Sequence, residues 1–302
     1  MADHHDTRHI LQSLAVNLVI SIGKLVGAIV SGSGAMLAET LHSFADCGNQ
    51  LLLLLGVRRA HRPADATHPL GYGAALYFWS FLVALLLFSG GGLFSIYEGM
   101  HKLHDPEPVG DIRLAMAILL GSLLLETWSL YGNVVELNRR RGAVPFWRYL
   151  SATKDSDLIV VFGENGAAVL GLAVAAAALT MAALTNNSLW DAAGSLAIGA
   201  ILVAVAAMLA VEIKSLLVGE RADPGVELAI AAAAAEDPRI LLVLKSITVQ
   251  KGPGEVLVAC KLRLADGLDT ATVVATINAF EQRLHDRYPD VRWSFVEPDV
   301  SA

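Results

Sequence analysis

Between residues 10 and 217 the chain alternates long apolar runs with short polar joins. A helix needs about 20 apolar residues to cross a bilayer core of roughly 30 Å, and several runs reach that length. Proline, glycine and paired asparagine residues lie in the joins, where helices are expected to end or turn. The pattern predicts six membrane-spanning helices, at residues 10–31, 35–57, 74–100, 112–136, 158–184 and 188–217.

The pattern changes after Glu220, where charged residues become frequent and apolar runs become short. Partly alternating runs on either side of a Gly-Pro-Gly turn predict a β-hairpin, and steps of three and four between apolar residues predict a helix after it. The predicted elements are a helix at 226–235, strands at 242–249 and 256–264, a helix at 270–287 and a strand at 291–296. We therefore predict an all-α six-helix transmembrane bundle followed by a small α+β (ferredoxin-like) domain.

Composition supports this division. With 55% hydrophobic and 17% charged residues, the chain is typical of a membrane protein. The net charge of −7 provides no basic surface for a phosphate backbone, so no nucleic-acid partner is expected. The two cysteines, Cys47 and Cys260, indicate no disulfide framework, and we predict that both are buried free thiols.

Orientation is predicted from Lys and Arg residues in the short joins, because these face the cytoplasm. The joins after the second and fourth segments hold most of them, whereas those after the first and fifth hold none. We predict an integral protein of the bacterial cytoplasmic (inner) membrane with both termini cytoplasmic. The expected domains are a cytoplasmic lead at 1–9, a transmembrane domain at 10–217 and a cytoplasmic domain at 218–302.

Four polar residues in the second segment, Glu39, His42, Asp46 and Asn49, follow one another at steps of three, four and three. This spacing places them on one helix face. An ionisable side chain at membrane depth costs at least a few kcal/mol and is a functional hypothesis by default. An imidazole and a carboxylate one turn apart suit a cation such as Zn²⁺. The alternative is a face that only lines a water-filled interface or hydrogen-bonds to neighbours.

Glu164 and Asn165 interrupt the apolar run of the fifth segment, between Gly163 and Gly166. Small residues allow helices to approach closely enough for side chains to share a ligand. Two residues of one helix cannot complete a tetrahedral site, so we predict that this pair supplies ligands across a helix interface. The alternative is a helix-packing kink with a carboxylate that reaches toward the membrane surface.

Other polar residues in the apolar segments are interpreted as inter-helix ion pairs or hydrogen bonds. Neither a Walker-type lysine loop nor an HExxH pair is present, so the usual signatures of ATP-driven pumps and zincin proteases are missing. We expect that the chain is not an enzyme. The glycines near Ser89 are expected to form close helix contacts. The residues with expected structural roles are Asn17, Lys24, Glu98, Glu126, Asn133, Asp191 and Glu212.

Several long motifs occur in a specific order along nearly the whole chain. They are AETLHSFADCGNQ at 38–50, HPLGYG at 68–73, LLETWSLYGNVVELNRRR at 124–141, KDSDLIVVFGENGAAVLG at 154–171 and SLWDAAGSLAIG at 188–199. With six predicted spans and an α+β tail, the chain resembles the cation diffusion facilitator (solute carrier 30 type) family of metal transporters. Within the family it is most similar to the subgroup of the animal mitochondrial zinc transporter.

The resemblance implies a metal site built from the second and fifth spans. The family's second-span pair corresponds to His42 and Asp46. Its fifth-span pair, a His and an Asp four positions apart, does not carry over, because Val160 and Val161 stand four positions before Glu164 and Asn165. The subgroup has adjacent Glu and Asp at the positions of Glu164 and Asn165. Glu39, three positions before His42, is a further candidate ligand that compensates for the missing carboxylate.

The resemblance also implies a function: a homodimer, joined through its tail, that exports a divalent metal in exchange for protons by alternating access. The expected substrate is Zn²⁺, with Mn²⁺, Fe²⁺ and Co²⁺ as alternatives, and no prosthetic group is expected. Two other classes remain open at this stage. One is a membrane metal receptor or structural metal-binding protein without transport, and the other is an intramembrane metal-dependent hydrolase.

Overall fold

The computed structural model describes residues 3–105 and 112–300. The chain forms two compact units. Pro106 and Pro108, in the join between the third and fourth predicted segments, lie outside the described residues. The first unit comprises residues up to Arg58, Phe78–Ser151 and Ser156–Ile213, and the second comprises Arg59–Tyr77, Ala152–Asp155 and the chain from Lys214 onward.

The first unit is helical, and long helices lie close to the predicted apolar segments. Its α1 helix begins at Asp3 and so extends through most of the predicted lead. The helices are α1 (Asp3–Ser31), α2 (Gly34–Ala60), α3 (Ala75–Leu86), a π-helical segment (Leu87–Leu93), α4 (Phe94–His104), α5 (Ile112–Arg141), α6 (Phe146–Ala152), α7 (Ser156–Thr185) and α8 (Leu189–Val218). The short α6 helix was not predicted, because seven residues are too few to show a periodic pattern.

Among the described residues, four helical stretches are long and apolar enough to cross a membrane. The apolar run of α2 is interrupted by its polar face. Ala75–His104 is continuous through the π-helical segment. The four stretches are Ala75–His104, Ile112–Arg141, Leu158–Thr185 and Leu189–Val218. The chain is therefore an integral membrane protein with a helical membrane domain.

Glycines bring the π-helical segment close to α8. A methyl group added at Gly92 would lie 2.7 Å from Val203 Cγ2, and one added at Gly199 would lie 2.9 Å from the carbonyl oxygen of Gly92. Real side chains do not tolerate such separations, so these positions require glycine for the helices to pack. The prediction that the glycines after Ser89 make close helix contacts is confirmed for Gly91 and Gly92, whereas Gly90 has open space around it.

The second unit contains the predicted helix, two strands, helix and strand after residue 220. Asp223 accepts a hydrogen bond from the Gly225 amide and caps the first helix, and Asp269 caps the second. The sheet order is β1-β2-β3, with β1 and β2 antiparallel and β2 and β3 parallel. The elements are α9 (Pro224–Ala235), β1 (Ile240–Gly252), β2 (Glu255–Leu264), α10 (Thr270–Arg287) and β3 (Val291–Pro298).

One face of this sheet packs against the two helices. Val258 of β2, Phe280 of α10 and Ile230 of α9 are almost completely buried in a common core. Cys260 lies in the same core, where burial raises the pKa of its thiol to about 12. Both Cys47 and Cys260 are free and buried, as the sequence predicted.

Candidate metal site

The polar face of α2 is buried inside the helical unit. Glu39, His42 and Asn49 have no exposed side-chain surface, and the side chain of Asp46 is 18% exposed. Charged and amide groups at such positions need partners, because burying an unpaired polar group costs free energy. The neighbours of each side chain therefore indicate its role.

His42 and Asp46 face each other one helical turn apart. The distance between His42 Nδ1 and Asp46 Oδ1 is 3.6 Å, longer than a hydrogen bond. Within the described part of the chain, neither ring nitrogen of His42 has a hydrogen-bond partner, and Asp46 Oδ1 has none. A buried imidazole and carboxylate that leave nitrogen and oxygen lone pairs unused can coordinate a cation together.

A hydrogen bond joins this face of α2 to α7. Asn49 donates its amide to Glu164 Oε1, and the Glu164 residue is only 8% exposed. The second and fifth predicted spans therefore approach one another at the residues that the sequence singled out. The Asn49 amide oxygen is buried without a hydrogen-bond partner among the residues described.

Asn165 has a different neighbour from Glu164. Its amide donates to Ser129 Oγ on α5 over 3.0 Å. Adjacent residues of a helix point about 100° apart, so both side chains cannot face α2 at once. In this arrangement Glu164 is the α7 side chain that reaches α2.

Glu39 forms an ion pair with a residue of α1. Lys24 Nζ lies 3.3 Å from Glu39 Oε2 and 2.7 Å from Ser43 Oγ, and neither charged side chain is exposed. The inter-helix ion pair expected for Lys24 is present, and its partner is one of the residues expected to bind metal. The second carboxylate oxygen of Glu39 lies against Gly171 of α7, where no room remains for a side chain.

Glu126 of α5 also belongs to this region. It lies close enough to Asp46, His42 and Lys24 for their charges to interact, and Glu164 is in turn within range of Glu126. The sequence predicted only a structural role for Glu126, because spacing along one helix does not show which other helices a residue faces. The feature of the sequence that could have indicated a place near the site is an acidic residue in the middle of an apolar run.

The N-terminal end of α2 is held by α8. Asp191 accepts hydrogen bonds from the Gly34 amide over 2.7 Å, from the Ala35 amide and from the hydroxyl of Ser33. Lys102 of α4 lies 3.2 Å from the same carboxylate. The structural role expected for Asp191 is thus present, and it fixes the start of the helix that carries His42 and Asp46.

Across the ranges 3–105 and 112–300, no three His, Cys, Asp or Glu side chains lie close enough together to hold a metal ion. The polar residues instead form three neighbouring pairs: His42 with Asp46, Asn49 with Glu164, and Lys24 with Glu39. The first pair has unused lone pairs, and the second joins α2 to α7.

Comparison with known proteins identifies the family of the chain. Residues 10–218 match the family model described as the cation efflux transmembrane domain. The chain is 34% identical over 217 residues to the mitochondrial proton-coupled zinc antiporter SLC30A9 of Xenopus laevis, covering 71% of this chain and 39% of that protein. It is 32% identical over 223 residues to metal tolerance protein C4 of Arabidopsis thaliana, covering 73% and 49%.

A bacterial relative is also similar over a shorter stretch. The zinc transporter ZitB of Pectobacterium atrosepticum is 26% identical over 135 residues, or 44% of this chain and 42% of that protein. The chain thus spans less than half the length of each of these relatives. The expectation that it is not an enzyme agrees with the family model, which covers the helical unit. The chain belongs to the cation efflux family of membrane proteins, the cation diffusion facilitators.

Proposed function

We propose that the chain is a secondary transporter that exports a divalent metal, Zn²⁺, in exchange for protons. The observation that carries this proposal is the buried pair of His42 and Asp46, whose nitrogen and oxygen atoms lack hydrogen-bond partners in the described chain. Support also comes from relatives whose names describe proton-coupled zinc antiport or zinc transport. Mn²⁺, Fe²⁺ and Co²⁺ are further substrates to be compared.

In this proposal His42 and Asp46 bind the metal from α2, and Glu164 binds it from α7. Asn49 holds Glu164 by a hydrogen bond when no metal is bound, and its own buried oxygen adds a weak neutral ligand. Mixed nitrogen and oxygen donors suit Zn²⁺, which accepts both in tetrahedral sites. Asn165 is at most an occasional ligand, because it donates to Ser129 on α5.

Proton exchange follows from the chemistry of these ligands. A histidine nitrogen and a carboxylate oxygen bind metal only when they are deprotonated, so metal and protons compete for the same atoms. Protons taken up after the metal has left would neutralise the buried carboxylates. The empty site could then return to the side of the membrane on which it binds metal. Alternating exposure of one buried site to the two sides then couples the two flows.

The proposed architecture includes α1 and α2 as membrane spans, which gives six spans with both termini on the cytoplasmic side. The position of Lys and Arg residues in the joins supports this orientation. We further propose that the part of the second unit from α9 to β3, here called the C-terminal unit, is a ferredoxin-like domain through which two copies form a homodimer. Its β-α-β order around a three-stranded sheet supports the first part.

Metal uptake by purified protein in sealed liposomes tests the function. Wild type should accumulate Zn²⁺, and His42→Ala should lose at least about nine tenths of the uptake, since it removes one of few ligands. The matched control is His104→Ala, because His104 lies exposed at the end of α4 and hydrogen-bonds to the carbonyl oxygen of Met100. Competition by Mn²⁺, Fe²⁺ and Co²⁺ in the same assay ranks the substrates.

The outcomes separate the proposal from its rivals. Zn²⁺ binding without accumulation inside the liposomes would indicate a receptor or structural metal protein. Equal uptake by wild type and His42→Ala would contradict the assigned site, even if transport itself were present.

A further inference from the structure

Lys24 is a buried cation beside the proposed metal site. Its ammonium donates to Glu39 Oε2 over 3.3 Å and to Ser43 Oγ over 2.7 Å. Neither Lys24 nor Glu39 has any exposed side-chain surface. Burying two charges is expensive, so a pair at this place needs a reason beyond stability.

The packing of α1 on α2 fixes the position of this ammonium. Ser21, one turn before Lys24, lies 3.7 Å from Cys47 Sγ, and space for Met36 of α2 is provided by Gly27. Contacts later in α1 are made with residues earlier in α2, so the two helices run antiparallel. Lys24 lies between the other two contacts and faces the polar side of α2 that begins at Glu39. This packing places the Lys24 side chain beside Glu39.

Glu39 is held by only one of its two oxygens. Oε2 pairs with Lys24, whereas Oε1 is buried without a hydrogen-bond partner among the residues that the structure covers. Glu39 lies three residues before His42 on the same helix. A side chain so placed is a potential metal ligand that is tied to a neighbouring cation instead.

The charge of Lys24 also acts on the proposed ligands. The ligands His42 and Asp46 lie within its electrostatic range, and so does the neighbouring Glu126. In a site of low polarity a nearby positive charge opposes the entry of a dication, and an untied carboxylate favours it. A transporter must release its metal, so an affinity that is too high limits turnover.

We propose that Lys24 sets the metal affinity of the site by holding Glu39 away from the metal. Lys24 is a positioning residue in this account: it does not touch the metal and acts through Glu39. With Lys24 in place, the metal is held by His42, Asp46 and Glu164 and is released readily. Without it, Glu39 becomes a further ligand. This inference rests on the proposed function.

Zinc affinity of four purified variants tests the inference, read from isothermal titration and from the zinc-dependent rise in melting temperature. Lys24→Met removes the cation and should bind Zn²⁺ about tenfold or more tightly. Glu39→Gln leaves Lys24 unpaired and should bind about tenfold more weakly. The Lys24→Met/Glu39→Gln double variant removes both charges and should return to near the wild-type affinity. Ser21→Ala, on the same face of α1, is the control without a change of charge.

Transport kinetics separate this role from a merely structural one. Lys24→Met should lower both KM and kcat for Zn²⁺ uptake, because tight binding slows release. A variant that is only misfolded lowers kcat without lowering KM. If Lys24→Met is too unstable to purify, the comparison of Glu39→Gln with the double variant still tests the inference. The double variant must bind Zn²⁺ about tenfold more tightly than Glu39→Gln.

Two results would overturn the inference. One is a Lys24→Met variant that binds Zn²⁺ no more tightly than Ser21→Ala. The other is a double variant that keeps the tight binding of Lys24→Met, or binds no better than Glu39→Gln. Failure of the proposed function looks different, because wild type itself would then fail to take up Zn²⁺.

Discussion

The buried ion pair between Asp191 and Lys102 provides a direct test of how the helical unit is held together. Asp191→Asn removes the negative charge with little change in shape. Asp191 is 1% exposed and the side chain of Lys102 is 9% exposed, so water cannot replace the lost partner. Leaving a buried charge without its partner typically costs about 3–5 kcal/mol.

Part of this cost arises at the start of α2. The Asp191 carboxylate accepts from the amides of Gly34 and Ala35 as well as from the hydroxyl of Ser33. An asparagine oxygen accepts fewer and weaker hydrogen bonds, because a charged acceptor contributes about 1.5–3 kcal/mol and a neutral one about 1 kcal/mol. The whole expected loss corresponds to a melting temperature about 10 °C lower, at roughly 2–4 °C per kcal/mol for a domain of this size.

Thermal unfolding in detergent, followed by tryptophan fluorescence, measures the effect. Lys102→Met combined with Asp191→Asn should recover the part of the lost stability that arises from the unpaired Lys102 charge, because replacing both members of a buried pair is often neutral. The control is Asp105→Asn, an exposed carboxylate just after α4, which should stay within about 0.5 kcal/mol of wild type. Asp191→Asn within about 1 kcal/mol of wild type, or a double variant no more stable than the single one, would refute the reasoning.

Three further predictions follow from the packing and charges of the two units. In zinc titrations, Glu164→Gln should weaken binding by about tenfold or more because the site loses a charge, whereas Asn165→Ala should change it little; the reverse order would make Glu164 a structural carboxylate. Gly199→Ala should lower the free energy of unfolding by about 1–3 kcal/mol, because its methyl group meets backbone atoms of the neighbouring helix. The control Gly121→Ala, with open space around it, should be neutral or slightly stabilising in the same melting experiment. Equal melting temperatures of the two variants would contradict this packing. Hydrogen bonds from the nearby Arg239 side chain lower the pKa of Asp237 to about 2, so Asp237→Asn should destabilise the C-terminal unit at pH 7. The difference in stability between this variant and wild type, measured by hydrogen exchange, should narrow as the pH falls from about 4 toward 2. A difference that stays constant with pH would exclude the ion pair as its cause.

The apolar pattern was sufficient to predict the long helices and the order of elements in the C-terminal unit. Such patterns report burial averaged over many residues, and they are strong when an element is long. The short α6 helix and the π-helical turn at Leu87–Leu93 were not predicted for the same reason. A single turn of altered hydrogen bonding leaves the apolar content of a run unchanged.

The partners within the candidate site could be predicted only in part. Spacing placed Glu39, His42, Asp46 and Asn49 on one face of α2, but it could not distinguish the side of that face that meets α1 from the side that meets α7. The structure pairs Glu39 with Lys24 and Asn49 with Glu164. Which pairs form depends on how the helices are rotated against each other, and that rotation is set by glycine contacts far apart in the sequence.

The central claim is that a metal bound by His42, Asp46 and Glu164 is exchanged for protons. The most direct test is to add Zn²⁺ outside sealed liposomes that contain the protein and a trapped pH-sensitive dye, while Zn²⁺ uptake is measured in parallel. We predict that Zn²⁺ entry raises the internal pH as protons leave, and that Asp46→Asn abolishes both signals while the protein remains folded. Zn²⁺ uptake with no movement of protons, or unchanged signals in Asp46→Asn, would contradict the account.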